Sequence, residues 1–156
     1  MQETERILFV DDDAAVRGAF KRSLRHHGFE IDLADGHQEA LAKVEVNNYA
    51  VIAVDYRMPV MNGLELAQVL RKKQTDATYV LISAECDLEL AVEAVNEYLV
   101  SFVIPKPWYA EELASILKRS LEGYWERAAQ RALAKSLLDS RRNKPDISPE
   151  PIELST

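Results

Sequence analysis

Short runs of β-branched and apolar residues alternate along the chain with longer stretches whose apolar positions recur every three or four residues. The runs predict strands at Arg6–Val10, 50–55, 79–83 and 102–105, with one more at Glu30–Ala34. Between them the helical period predicts helices at 14–27, 37–47, 63–73 and 87–96. Asp13 is placed to cap the first helix and Gly28 to end it. A fifth helix starts near Ala110, where Leu113, Ile116, Leu117, Leu121 and Tyr124 keep helical spacing. Good helix formers carry it on to about Arg142.

Five strand–helix units in this order imply a parallel sheet with helices on both faces. The segments Ala50-Val51-Ile52-Ala53-Val54 and Tyr79-Val80-Leu81-Ile82 are apolar throughout, as strands buried on both faces are. The predicted fold is therefore α/β: a doubly wound five-stranded parallel sheet in the flavodoxin-like order 2-1-3-4-5, with an extended C-terminal helix. The chain of 156 residues is expected to divide into a main domain over 4–122, a helical extension over 123–142 and a disordered tail over 143–156.

In an open parallel sheet, sites form beyond the carboxyl ends of the strands. The first strand ends in Asp11-Asp12-Asp13, the third in Asp55, the fourth in Ser83-Ala84, and the fifth just before Lys106-Pro107. In the predicted strand order these ends converge. Clustered carboxylates repel one another unless a hard cation sits among them, and Mg²⁺ prefers oxygen ligands. Lys106 offers a mobile positive charge to Asp55, or to anionic oxygens added to it, and Ser83 offers a hydroxyl. A carboxylate so neutralised is a nucleophile toward phosphorus. No nucleotide-binding loop accompanies it, so the phosphoryl donor must come from elsewhere.

The segments Ile7-Leu8-Phe9-Val10-Asp11-Asp12-Asp13, Asp55-Tyr56-Arg57-Met58-Pro59-Val60-Met61-Asn62-Gly63, Leu81-Ile82-Ser83-Ala84 and Lys106-Pro107 together resemble the response-regulator receiver family of two-component signalling. The resemblance implies that Asp55 accepts a phosphoryl group from a histidine kinase or phosphotransfer protein. It implies Mg²⁺ held by Asp11, Asp12, Asp55 and the backbone carbonyl of Arg57, and phosphoryl oxygens held by Ser83 and Lys106. It also implies a cis peptide bond before Pro107, and no enzymatic activity beyond the chain's own phosphorylation and dephosphorylation. Arg57 and Glu85, two residues after Asp55 and Ser83, are expected to pair across the phosphoryl group. One departure stands out: the family usually carries Tyr or Phe three residues before the lysine, where this chain has Val103, with Phe102 one residue earlier. Either the last strand is shifted or bulged, or the aromatic switch is absent.

Two other readings compete with this one. A phosphatase of the haloacid dehalogenase type takes its nucleophile from the first strand in an Asp-x-Asp-x-Thr/Val pattern, whose last position here is Ala15. A non-phosphorylated receiver-like interaction module would keep the fold without the chemistry.

Composition narrows the partners. The formal net charge is −7. Residues 111–156 carry eight acids and eight bases, so the acidic excess lies in 1–110. That argues against direct nucleic-acid binding, which needs a basic face. Cys86 is the single cysteine, which excludes an internal disulfide and a cysteine-rich metal site. His26, His27 and His37 lack metal-ligand spacing. The apolar runs are too short to cross a bilayer, and the acidic start Met1-Gln2-Glu3-Thr4-Glu5 is unlike a signal peptide, so a cytoplasmic location is expected. The last helix, whose bases are interleaved with acids, is read as a contact for a homodimer or partner.

Overall fold

Alternate residues of each strand feed two separate cores, one on either side of a single sheet. The computed structural model describes residues 5–143. The strands are β1 (Arg6–Val10), β2 (Glu30–Ala34), β3 (Val51–Asp55), β4 (Thr78–Ala84) and β5 (Phe102–Lys106). The helices are α1 (Ala14–Ser23), α2 (His37–Val46), α3 (Gly63–Arg71), α4 (Leu88–Asn96) and α5 (Ala110–Arg142), with a single 3-10 turn at Glu85–Asp87. All strand pairs are parallel, in the order β2-β1-β3-β4-β5. This is the predicted doubly wound fold.

Leu8, Val10, Ile52, Val54, Tyr79 and Leu81 pack with Leu66 and Leu70 of α3 and Ala91 and Ala94 of α4. Ile7, Phe9, Val51, Ala53, Val80 and Ile82 point the other way, onto Phe20 of α1 and Leu113, Leu117 and Leu121 of α5. All five residues of β3 are buried, because helices cover both its faces. Burial of this kind is what commits the strand ends to one edge of the sheet.

Several element ends differ by a residue or two from the sequence reading, and three points bear on the site. Helix α1 stops at Ser23, four residues before the expected end. From Leu24 the backbone turns through bonds to residues three back, such as Leu24 N to Lys21 O at 3.3 Å, before Gly28 reverses it at φ 75°. Helix α4 proper begins at Leu88, because Glu85–Asp87 close a tighter turn first.

The third concerns β5. It pairs with β4 in unbroken register, Val80 with Phe102 through Ala84 with Lys106, so no bulge shifts the strand. Pro105 lies within β5, an edge strand, which is where a sheet accommodates proline. Phe102 therefore packs on the α1–α5 side, with the Arg119 guanidinium 5.2 Å above its ring. Val103 takes the α3–α4 side.

Helix α5 runs for 33 residues, about 50 Å. Its first half closes the second core. Beyond the sheet it is tied down by Arg127, whose Nε donates to the Asp76 carbonyl at 3.0 Å, and by Arg131, 2.9 Å from the Asp76 carboxylate. From residue 129 to 143 every position is exposed. The tail predicted for 143–156 lies, apart from Asn143, outside the described residues. No described helix is long and apolar enough to cross a membrane.

Candidate functional site at the carboxyl edge of the sheet

Strand β1 delivers Asp11 and Asp12 to the edge, β3 delivers Asp55, and β5 delivers Lys106. Asp11 is 1% exposed and Asp55 6%, so both carboxylates sit at the bottom of the crevice, while Asp12 is exposed at its rim. One oxygen from each of the three lies within 4.8 Å of the others. That spacing fits a single small divalent cation bound by oxygen, and it is otherwise a concentration of like charge.

Lys106 answers part of that charge. Its Nζ lies 2.9 Å from Asp11 Oδ2 and 2.9 Å from Asp55 Oδ1, bridging two strands. The peptide bond between Lys106 and Pro107 is cis. Burial pushes the Asp55 carboxyl above its ordinary range, Asp11 and Asp12 add to the rise, and Lys106 opposes it. For Lys106 burial works downward, but the hydrogen bonds to Asp55 and Asp11 prevail and leave it above the usual lysine value.

The support around this set is specific. Asp11 Oδ1 accepts the Asp13 amide at 2.9 Å, which turns the chain out of β1. Asp13 caps α1, accepting the Ala15 amide at 2.8 Å, and so acts as a cap. Arg17 Nη1 donates to the Asp11 carbonyl at 2.7 Å. Gly63 stands directly behind Asp55: a Cβ there would lie 2.3 Å from the Asp55 carbonyl oxygen. Asn62 and Glu65 form a capping box that starts α3 at this point. The sequence reading did not single out Arg17 or Gly63 as supports. A glycine placed to open a helix is the only signal that could have suggested the second.

Ser83 is fully buried at the tip of β4, and its Oγ donates to the Ala84 carbonyl at 3.2 Å. It lines the crevice wall without bonding Asp55. Trp108 packs edge-on against Phe9 and Phe20 and donates from Nε1 to Ser23 Oγ at 3.0 Å, whereas Tyr109 is exposed.

The expected pairing of Arg57 with Glu85 is not what forms. Arg57 binds Asp87 instead, with Nε 2.6 Å from Oδ2 and Nη2 2.8 Å from Oδ1. The 3-10 turn at Glu85–Asp87 leaves the Glu85 side chain in solvent and tucks Asp87 inward, to 4% exposure. The Arg57 hydrogen bonds hold the Asp87 carboxyl below the usual range, and Asp87 in turn raises Arg57.

A doubly wound parallel sheet with carboxylates from two strand tips, and a lysine from a third reaching both, has the architecture of a receiver domain. The chain belongs to the response regulator receiver domain family, whose sequence profile matches residues 7–118. It is 30% identical over 150 residues to the response regulator MprA of Mycobacterium leprae, covering 96% of this chain and 57% of that protein. MprA from Mycobacterium sp. (strain KMS) is 33% identical over 116 residues, covering 74% and 50%. The chain thus spans about half the length of these curated relatives. Among solved structures, one titled adenylate cyclase from Rhodopirellula baltica superposes with TM-score 0.80 at 33% identity, covering 85% of this chain and 98% of that one. A CheY-like response regulator receiver from Methanospirillum hungatei superposes with TM-score 0.71 at 28% identity, covering 80% and 99%. The chain is a two-component signalling receiver; neither the phosphatase nor the unphosphorylated module is favoured.

Proposed function

We propose that this receiver takes a phosphoryl group from a phosphohistidine donor onto Asp55, and that Asp11, Asp12, Asp55 and the Arg57 carbonyl hold the Mg²⁺ the transfer requires. The observation that carries the reading is the contact of Lys106 with Asp55 and Asp11 at the same 2.9 Å, beside three converging carboxylates.

The chemistry follows from charge. An Asp55 oxygen attacks phosphorus, the phosphorus–nitrogen bond to the donor imidazole breaks, and the imidazole leaves with the electron pair. Negative charge builds on the phosphoryl oxygens as they approach two carboxylates. Lys106 is already within hydrogen-bond reach of the nucleophile and moves its contact onto an incoming oxygen. Mg²⁺, when bound, supplies the remaining positive charge on those oxygens. Ser83 exchanges its bond to the Ala84 carbonyl for one to the phosphoryl group, which draws the β4 tip inward. Arg57 and Asp87 carry that movement toward α4, in place of the ring that Val103 does not provide. The chain turns over only its own phosphoryl group. Receiver partners are in general histidine kinases; the particular kinase, the output, a cytoplasmic setting and a homodimer contact through α5 belong to this proposal.

Titration with beryllofluoride and Mg²⁺, followed by tryptophan fluorescence, tests it. Saturable, Mg²⁺-dependent binding by the wild type and none by Asp55→Asn is expected. Equal responses from both would end the reading.

A further inference from the structure

Asp87 is the buried half of its pair with Arg57: its side chain is 4% exposed, against 71% for the arginine. Among the described residues Arg57 is its sole ion-pair partner, and Arg57 makes no other side-chain hydrogen bond. The guanidinium lies in an open groove between the loop after β3 and α4, with room to swing. Asp87 also stands at the N-cap of α4, where an aspartate commonly accepts a helix amide. Here it makes no such bond, because both of its oxygens are taken by Arg57. The carboxylate therefore has two mutually exclusive partners, one engaged and one unused.

The phosphoryl site, for its part, is short of positive charge. Arg57 follows Asp55 by two residues, so their Cα atoms are at most about 7 Å apart. The residue between them is fixed: the Tyr56 amide donates to the Ile82 carbonyl and the Tyr56 carbonyl accepts the Gly63 amide, each at 2.9 Å. Once Asp55 carries a phosphoryl group its own charge is gone, and the group together with Asp11 and Asp12 bears about four negative charges. Lys106 and one divalent cation leave that about one charge short. Arg17 also stands beside the site, but it already donates to the Asp11 backbone carbonyl. Arg57 is the cation that can move.

We propose that Asp87 competes with the phosphoryl group for Arg57. In the unphosphorylated chain the guanidinium is held on Asp87. When Asp55 is phosphorylated it swings onto a phosphoryl oxygen, and the released Asp87 carboxylate turns to the first amides of α4 and caps that helix. Asp87 is thus a positioning residue: it keeps a phosphoryl-binding cation off the site until there is a group to bind, and its relocation reports the event to α4. This rests on the proposed acceptor role of Asp55 and adds to it a phosphoryl contact, Arg57, and the residue that sets its availability.

Beryllofluoride with Mg²⁺ tests this on the full chain, with binding read by tryptophan fluorescence. Asp87→Asn keeps the shape of the side chain and releases Arg57, so it should tighten binding about fivefold. Arg57→Ala should weaken it about tenfold or more, the worth of a charge-assisted hydrogen bond. In the double variant the gain should vanish, leaving the weak binding of Arg57→Ala, because no guanidinium remains to be released. A purely structural contact would weaken binding in both single variants, so single variants that shift the same way overturn the proposal. So does a gain from Asp87→Asn that survives without Arg57, which is simple removal of a negative charge. Amide exchange at Glu89 and Leu90 should slow when the wild type binds beryllofluoride; unchanged exchange overturns the relocation of Asp87. With binding by the wild type, any of these contrary results leaves the acceptor reading standing. No binding by any form removes that reading and this proposal together.

Discussion

The Arg57 guanidinium and the Asp87 carboxylate meet in a two-pronged hydrogen-bonded pair, with distances of 2.6 and 2.8 Å. It spans 30 residues of sequence and ties the loop after β3 to the start of α4. Because Arg57 holds the Asp87 carboxyl below its usual range, the folded state favours the ionised form more than the unfolded chain does. That stabilisation is complete above the ordinary carboxylate range and is lost as pH falls through the lowered folded value. Asp87→Asn should therefore unfold at lower urea than wild type at pH 7, and the gap should close in acid. Measuring urea midpoints from about pH 7 to about pH 2 checks this. A gap that does not change with pH would assign the loss to packing.

Asp55 carries the opposite sign. Burial, together with Asp11 and Asp12, raises its carboxyl, so its ionisation costs folding free energy in the absence of metal. Stability should rise as pH drops into the range where the folded protein takes up that proton. Asp55→Asn removes the cost. Without Mg²⁺ its melting temperature should exceed that of wild type by about 3 °C, the shift that roughly 1 kcal/mol produces in a domain of this size. Adding Mg²⁺ should raise the wild type and leave the variant nearly unmoved.

Removing the lysine exposes what it offsets. Lys106→Met leaves Asp11 and Asp55, 1% and 6% exposed, without their cation. Breaking such a pair from one side costs about 3 kcal/mol or more. Chemical denaturation with and without Mg²⁺ reads the effect, and the ion should recover part of the loss.

Gly63→Ala tests the backing of the site rather than its charges. The added Cβ would lie 2.3 Å from the Asp55 carbonyl oxygen and 2.9 Å from its carbon, both backbone atoms that cannot rotate aside. Either α3 or the β3 tip must move, at a cost of about 1–3 kcal/mol. Loss of stability and weaker Mg²⁺ binding together are the expected outcome. Full retention of both would mean that the helix start yields freely.

The sheet was legible because burial on two faces leaves an unmistakable signature: Val51–Asp55 could hardly be anything but a central strand. Asp11, Asp12, Asp55 and Lys106 could be placed together because strand ends in a parallel sheet share one edge. What escaped lies in the loops. Nothing in periodicity distinguishes Glu85 from Asp87 as the partner of Arg57, since a 3-10 turn rotates their side chains differently from the helix that the pattern suggests. Similarly, taking Gly28 as the stop signal carries the predicted α1 to residue 27, past Leu24. It is buried, but as the residue that caps the helix. The choice between a shifted β5 and a missing aromatic also needed coordinates, because Phe102 and Val103 are both good strand residues.

The central claim is that a single carboxylate, Asp55, takes up a phosphoryl group. Intact mass after incubation with acetyl phosphate and Mg²⁺ tests this most directly. Wild type should gain one increment of about 80 Da that chelator prevents. Asp55→Asn should gain none. An equal gain in the variant, or a wild type left unlabelled while it binds Mg²⁺, would contradict the account.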